Sequence, residues 1–539
     1  MAVRPNLRKT LLLVALLAGP VGATEHDHAS LGTVDFPVSC SAPAKAQFNQ
    51  AVTLLHHMTY PQAREAFEQT LQTEPGCAMA HWGVAMTLFQ PLWPTRPNAA
   101  ALARGWQEVQ KAKSLPSSPR EVLFINAAEA FFTQPESPDY WARIRRWEQA
   151  SKQAYEALPG DDEAAIFYAL SHLATSPTSG NLREHADESA AILLRVYQKH
   201  PDHPGVMHYL VHANDVPGRE HELLEITKKY DSIAPNNPHA LHMPTHIYTR
   251  LGDWDGVIKG NLRAADAALL YPAGEQGEFV WDEFAHAIEY LVYAYLQEGA
   301  DDPAAEQLHR LQDMPRLEPT FKTAFHLAST QSRYALERRD WEAASKIEPR
   351  MPAYLDWDRF MWAEATARFA RGLGCAHSGK NDEVQVALTR LDALEGVARK
   401  ADEDLFARSI KVLNLELAAW SAHVQGEEAK SVEIMREAAA LEGATPKHPV
   451  TPAPTLPAYE LLGDLYTEQK KPTDALAAYQ KSLQLYPRRF NSVLGAATAA
   501  REAGDEANAR AYYAQLIELA VPDSPRSAVK EARQYLSRR

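Results

Sequence analysis

Cysteine is scarce in this chain: Cys40, Cys77 and Cys375 are the only three in 539 residues, too few for a disulfide-built fold. Their spacing forms no CxxC pair and no zinc knuckle, which excludes thiolate redox chemistry and thiolate metal sites. The HExxH helix of zinc proteases, the P-loop and the dinucleotide-binding GxGxxG are also missing, and the enzymes that depend on those devices go with them. Long hydrophobic runs are lacking too: the stretch Leu11 to Ala18 is less than half of the roughly 20 apolar residues that a membrane-spanning helix needs. Positive charge is in deficit, with 55 Lys and Arg against 69 Asp and Glu.

The short apolar stretch reads as an export signal. Arg4, Arg8 and Lys9 precede Thr10 to Leu17, and Val21-Gly22-Ala23 follows at the distance at which signal peptidase cuts. Cleavage is expected after Ala23, giving a periplasmic or secreted protein with no stable membrane insertion. Losing those three basic residues and no acidic one takes the net charge from −14 to −17. Such a surface argues against nucleic acid or anionic lipid as partners. The exported compartment permits a bridge between Cys40 and Cys77, which would clip the N-terminal segment to the end of the first helical hairpin. Cys375 is then free, and burial is expected for it.

What the chain has in quantity is helical periodicity. Leu462, Gly463 and Tyr466 share one helix, Lys470-Lys471-Pro472 breaks it, and Ala475, Tyr479 and Ser482 mark a second helix that stops at Pro487. Another pair follows with Ala497, the turn Gly504-Asp505, Ala509 and Tyr513, ending at Pro522. The repeat is about 34 residues, with small residues admitting the neighbouring helix and aromatics filling the next groove. The same grammar recurs in Leu251-Gly252-Asp253-Trp254, in Arg339-Asp340-Trp341 with Ala344, and in Tyr60, Ala63, Phe67 and Pro75.

This pattern resembles the tetratricopeptide repeat family. The resemblance implies an all-α solenoid of helical hairpins with degenerate central repeats. Clear matches fall near 44–77, 204–271, 325–347 and 456–522, and degenerate hairpins are expected at 78–200, 276–310 and 352–440. The stretches SCSAPAKAQFNQAVTLLHHMTYPQA and CAMAHWGVAM also resemble a group of exported bacterial repeat proteins, from which no chemistry carries over. The expected organisation is a signal peptide at 1–23, an extension at 24–43, N-terminal repeats at 44–163 and histidine-rich central repeats at 164–310. Degenerate repeats at 311–445, a stiff Pro-rich linker at 446–457 and regular C-terminal repeats at 458–539 follow.

The histidines share the repeat period. His208 and His212 are spaced i, i+4, as are His242 and His246, so each pair lies on one helix face a turn apart. The second pair is the first displaced by 34 residues. His239 joins the stripe, His286 with Glu289 follows on the next hairpin, and His172 precedes it. In the tetratricopeptide family the first helix of each hairpin lines the concave surface, so the resemblance implies that these residues face one groove. His208, His212, His239, His242, His246, His286 and His172 are the expected metal ligands. Asp215, Glu289 and Tyr293 are the expected catalytic groups, with Tyr209 and Tyr248 as further phenols on these helices. Nitrogen-rich ligation suits copper, iron or zinc, and copper is favoured.

A metal-dependent oxidoreductase is therefore the first reading. A zinc hydrolase with Glu289 or Asp215 moving the proton, or a peptide-binding scaffold whose C-terminal repeats recruit a protein, are the alternatives; the ligand in the groove is a small molecule or peptide. The loops at Ser176–Glu184 and Tyr271–Phe279 are candidate lids. His326 and Arg333 line the groove as an anion-holding pair, His56-His57 is a cap or rim feature, and His377 and His448 belong to polar or Pro-rich loops. The sequence EHDH at 25–28 is a flexible-terminus metal binder at most. Trp82, Met86 and Phe89 are core. Pro244 either kinks its helix or begins it, the latter leaving His239 and His242 on the approaching loop. Expression of the whole chain in a secreting bacterial host is expected to yield a product whose first residue is Thr24 by N-terminal sequencing; a retained leader refutes export by this signal.

Overall fold

The computed structural model describes residues 31–538 except 94, 138 and 275; the signal, its cleavage site and the 25–28 sequence lie outside the described residues. Every regular element described is helical, and the only β-type pairings are the isolated bridges Ala273–Phe279 and Val280–Leu317. Among the described residues, no helix is long and apolar enough to cross a membrane. Successive helices pack as hairpins, as Ala42–His56 does on Tyr60–Thr73 and Phe490–Glu502 on Glu506–Leu519. The molecule is an all-helical solenoid of tetratricopeptide type.

Local chemistry explains where helices begin and how closely they approach. Asn98, Ser118, Asp139, Asp161, Asp253, Asp340 and Asp505 each accept a first-turn backbone N–H, a cap worth about 1 kcal/mol each. Gly83 faces the Phe67 ring so closely that a Cβ would lie 2.3 Å from it. Tyr479 is clasped between Gly463 and Gly495 in the same way, at 2.6 and 2.3 Å. These contacts are the small-against-aromatic grammar of the sequence. Cys40 and Cys77 are bridged, and Cys375 is free and buried. Trp82, Met86 and Phe89 pack in the N-terminal core.

Pro244 interrupts the histidine-bearing helix. The helix Pro238–His242 ends, Met243 intervenes, and Pro244–Leu251 begins, so proline takes a first-turn position where its missing N–H costs nothing. No long kinked helix exists, and His239 and His242 stand on a short helix rather than on a loop. Thr245, where the repeat prefers a small residue, is accommodated by its neighbour: a Cβ on Gly260 would lie 2.5 Å from the Thr245 methyl.

The solenoid curls onto itself. The Val521 N–H donates to the Glu298 carbonyl at 2.9 Å, Ser524 donates to the Gly299 carbonyl at 2.7 Å, and Trp254 Nε1 donates to the Arg488 carbonyl at 3.0 Å. On the other side Arg96 forks onto Glu403 at 2.8 and 3.0 Å. The stretch 446–457, expected as a linker, runs inside this curl with Val450, Ala453 and Leu456 buried. Its prolines remove donors while leaving carbonyls free, and Arg333 satisfies them by donating to Ala453, Pro454 and the Thr451 hydroxyl. Ser176–Glu184 is likewise no loop: the helix Asp162–Ser179 runs into it, Gly180 ends it at φ 72°, and Leu182–Tyr197 follows. Residues 271–279 close as a tight turn held by reciprocal Ala273–Phe279 bonds.

Arg489 fastens the C-terminal repeats to the centre. Fully buried, it pairs with Glu460 at 2.9 Å and Glu337 at 2.9 Å and donates to the Tyr293 hydroxyl at 3.0 Å. Tyr293, expected as a catalytic phenol, is thereby a structural acceptor turned toward the C-terminal repeats. Replacing Arg489 by Met leaves Glu337 without its cation and Glu460 with Arg339 alone, and the expected loss is about 3–5 kcal/mol in urea unfolding followed by Trp fluorescence. A loss below about 1 kcal/mol would show that the repeats are held by apolar packing alone.

Candidate metal centre

Two histidine triads occupy the middle of the curl. His208, His212 and His239 form one and His242, His246 and His286 the other, and within each the candidate ligand atoms lie within 4.8 Å of one another. Across the triads the His212 and His246 rings are 6.2 Å apart and the His239 and His242 rings 6.3 Å. Only His212 is not fully buried.

The outward nitrogens decide what the inward ones present. His208 Nδ1 donates to the His56 carbonyl at 2.6 Å, and His239 Nδ1 to Glu283 at 3.2 Å. His242 Nδ1 donates to the Asn261 side-chain oxygen at 2.7 Å; the Asn261 amide is fixed by its own bond to the Val257 carbonyl. His246 Nδ1 donates to Asp215 at 3.0 Å. With each Nδ1 protonated, a neutral ring carries a lone pair on Nε2. Yet Nε2 of His208 faces Nε2 of His239 at 3.0 Å, and Nε2 of His242 faces Nε2 of His246 at 3.0 Å. Two lone pairs at that distance do not bond to each other; they converge as ligands do. Two nitrogens held on one metal at about 2.0–2.1 Å lie roughly 3.3 Å apart in tetrahedral geometry.

His286 reaches the same state by a relay. Glu289 accepts from His326 Nδ1 at 2.6 Å, which leaves His326 Nε2 to accept from His286 Nδ1 at 3.1 Å. The buried Nε2 of His286 has no hydrogen-bond partner. Burial and the neighbouring imidazoles hold His208, His212, His242 and His286 well below the usual histidine range; neutral imidazole is the form that binds metal. Burial alone would raise Asp215, but Lys447 and Arg250 outweigh it and keep the carboxylate charged.

A third group, His56, Glu163 and His203, also lies within ligand range, but Glu163 already joins its two histidines. Glu163 accepts from His56 at 3.1 Å and from His203 at 3.0 Å, so the facing atoms are matched as donors and acceptor, and His203 Nδ1 is the nitrogen of this group left without a partner. His56 and His57, expected at a rim, are fully buried. Gly205 admits His56, since a Cβ there would lie 2.5 Å from its ring, and His57 is held by the Tyr230 hydroxyl and the Leu31 carbonyl.

Other expected residues fall elsewhere. His172 bonds Glu148 at 3.2 Å and stacks on His185, in neither triad. Tyr248 is absent from the triads' contacts, and Tyr209 touches His56 and the His208 ring. The phenol beside the second triad is Tyr290, 3.4 Å from His246 Nδ1, which the sequence reading passed over along with Trp93. The Trp93 indole lies edge-on to His239 and His286, one ring from each triad. Arg333 does not await an anion: it pairs with Glu289. His377 is stacked on Trp341 at 3.8 Å.

A cleft of about 840 Å³ reaches the cluster at His212 and Asp215. Trp93, Trp141, Leu173 and Phe406 form its apolar walls, and Lys447 and His448 of the Pro-rich stretch close one side.

Residues 458–488 and 492–524 match the family model of the tetratricopeptide repeat. These two stretches are tetratricopeptide repeats. No curated protein matches the chain. Among solved structures, it aligns with the APC/C hetero-tetramer Cut9–Hcn1 at 13% identity, covering 93% of this chain and 97% of that one with a TM-score of 0.29. It aligns with yeast Tom70 at 11% identity, covering 92% and 95%, with a TM-score of 0.30.

His448 is buried, contrary to the loop expected for it, and its Nδ1 accepts the Val450 N–H at 3.0 Å. Burial, with the Arg96 and Lys447 charges, lowers it to about 3. The unfolded chain takes up this proton near pH 6.5 and the folded chain does not, so the stabilisation from neutral His448 is complete above 6.5 and declines as pH falls toward 3. The slope is about 1.4 kcal/mol per pH unit. Hydrogen-exchange protection factors in residues 446–457, corrected for the intrinsic pH dependence of exchange, are expected to fall below pH 6.5, and His448→Asn, which keeps an acceptor without titrating, should flatten that dependence. An unchanged profile in the variant would assign the acid sensitivity to another group.

Proposed function

We propose that this protein is exported, binds two transition-metal ions, one in each histidine triad, and acts as a metal-dependent oxidoreductase on a small molecule that enters by the cleft. The observation that carries the reading is the pair of facing Nε2 lone pairs at 3.0 Å, each fixed by an outward hydrogen bond from the same ring. Outer partners of this kind hold ligating histidines in the right tautomer and raise their basicity.

Copper is favoured on charge. The surrounding carboxylates are already neutralised: Asp215 by Arg250 and Lys447, Glu283 by Lys322, and Glu289 by Arg333. The ligands themselves are neutral, so added metal charge has little to offset it in a buried place. A pair of singly charged ions costs least there, and copper combines a stable +1 state with preference for imidazole. Two such ions, one held by each triad, would supply one-electron steps to or from a bound organic molecule. The hydrolytic alternative needs a free base, and both candidates are poor ones: Lys447 and Arg250 hold Asp215, and the His326 hydrogen bond with the Arg333 charge holds Glu289, below their ordinary range, against the upward push of burial. A peptide-binding groove fits less well, because residues 446–457 already fill the interior.

Untagged protein reconstituted with Cu(I) under anaerobic conditions is expected to hold about two equivalents by elemental analysis, and the His242→Ala/His246→Ala double variant about one. Asp215→Asn should weaken binding by about 10- to 100-fold. Uptake below about 0.2 equivalents of copper, iron or zinc would overturn the reading.

A further inference from the structure

On the other face of the Pro-rich stretch lies a second cavity of about 620 Å³, which shares Pro446, Lys447 and His448 with the wall of the metal cleft. Glu416 lines it. Its side chain is fully buried, and neither carboxylate oxygen has a hydrogen-bond partner. Glu442 lines the same space, its oxygens accepting only the Ala458 N–H at 3.2 Å and the Tyr486 hydroxyl at 3.4 Å. Phe325, Trp362 and Leu413 give the cavity an apolar side, and Ser409, Thr445, Thr451 and Thr455 also line it.

A buried carboxylate without a partner is costly, and no cation among the described residues answers this one. Lys447 is committed to Asp215 at 3.0 Å and the Thr451 carbonyl at 3.2 Å. Arg489, whose charge acts on Glu442, is taken by Glu460 and Glu337.

We propose that this cavity binds an organic ammonium: a primary amine whose three N–H groups meet Glu416 and Glu442 and whose apolar body lies against Trp362 and Phe325. A primary ammonium supplies more donors than the two open oxygens of Glu416 require, and the aromatic rings add attraction for a cation. Calcium or magnesium fits poorly, because each wants six or more oxygens and the two carboxyl groups alone supply fewer. Burial pushes both acids up, Glu416 with the added charge of Glu442 beside it and Glu442 to about 7; an ammonium would restore their charge. The proposal does not depend on whether the histidine triads hold metal.

The test is calorimetric titration of the full-length protein with benzylamine, with benzyl alcohol as the neutral isostere. Benzylamine is expected to bind on the order of tenfold or more tightly than the alcohol, and Glu416→Gln to abolish that preference while leaving the thermal midpoint unchanged or raised. Should that variant fail to fold, Leu413→Trp, which fills the cavity without touching the acids, is expected to block benzylamine. Equal binding of amine and alcohol, or a preference that survives both variants, would overturn the proposal. Stabilisation by calcium chloride lost in Glu416→Gln, without any by benzylamine, would assign the cavity to a metal ion and overturn it as well.

Discussion

Packing six imidazoles against one another is the constraint on which the centre of this molecule depends. A neutral ring has one N–H and one lone pair, and burial penalises either when unmatched. The fold matches one nitrogen of five of these rings with protein groups: a backbone carbonyl for His208, carboxylates for His239 and His246, an amide for His242 and a second imidazole for His286. The sixth ring, His212, meets His208 Nε2 at 3.1 Å, and the other Nε2 atoms point inward. The group His56–Glu163–His203 is built from the same residue types but brings both histidines onto one carboxylate, so the inward arrangement of the triads is specific to them rather than a general consequence of histidine burial.

Satisfying the outward nitrogens required departures from the repeat. Asp215 lies just past the end of its helix, where Arg250 and Lys447 converge on it, and Lys447 comes from the Pro-rich stretch more than two hundred residues away in sequence. The helix with His239 and His242 is cut short by Pro244, which turns the chain between two histidine-bearing segments. Regular grammar survives at 458–524 because those repeats have a different task. They fold back onto the helix Asp282–Gln297 through Arg489 and Phe490, and so close the curl around the cluster instead of extending a groove.

Much of this was legible in the sequence, and the limits have physical reasons. Hairpin period, the Cys40–Cys77 bridge and burial of Cys375 follow from local spacing and from the scarcity of cysteine. Six of the seven expected ligands are brought together because i, i+4 spacing and the 34-residue displacement are properties of helices and of their stacking. His172 stands apart on the helix Asp162–Ser179, which runs into the stretch expected as a loop and sets its ring against Glu148 and His185. Tyr293 is expected at the site from its place one turn beyond Glu289, yet on the helix Asp282–Gln297 that place meets Arg489 of the C-terminal repeats, and Tyr290 meets the cluster. The buried place of residues 446–457 could not be read from composition: a Pro-rich stretch is the same in a linker as in an interior strap, and only the distant Arg333 that caps its carbonyls distinguishes them.

The arrangement also limits the chemistry the centre can support. Carboxylates near a metal often act as ligands or bases, but here each is spent on an arginine or lysine before it meets an imidazole, so the negative charge reaches the cluster only through hydrogen bonds. Glu289 is farthest removed, acting on His286 through His326. A chain of this kind strengthens the donor power of the last nitrogen without placing a proton acceptor beside it. The centre therefore has little base character, and its open side, at His212, meets a cleft with Trp93, Trp141, Leu173 and Phe406 in its wall and with its acids, Asp215 and Glu403, already paired to basic side chains. In the oxidoreductase proposed above, those properties would favour electron transfer with an organic molecule held in the cleft over activation of water.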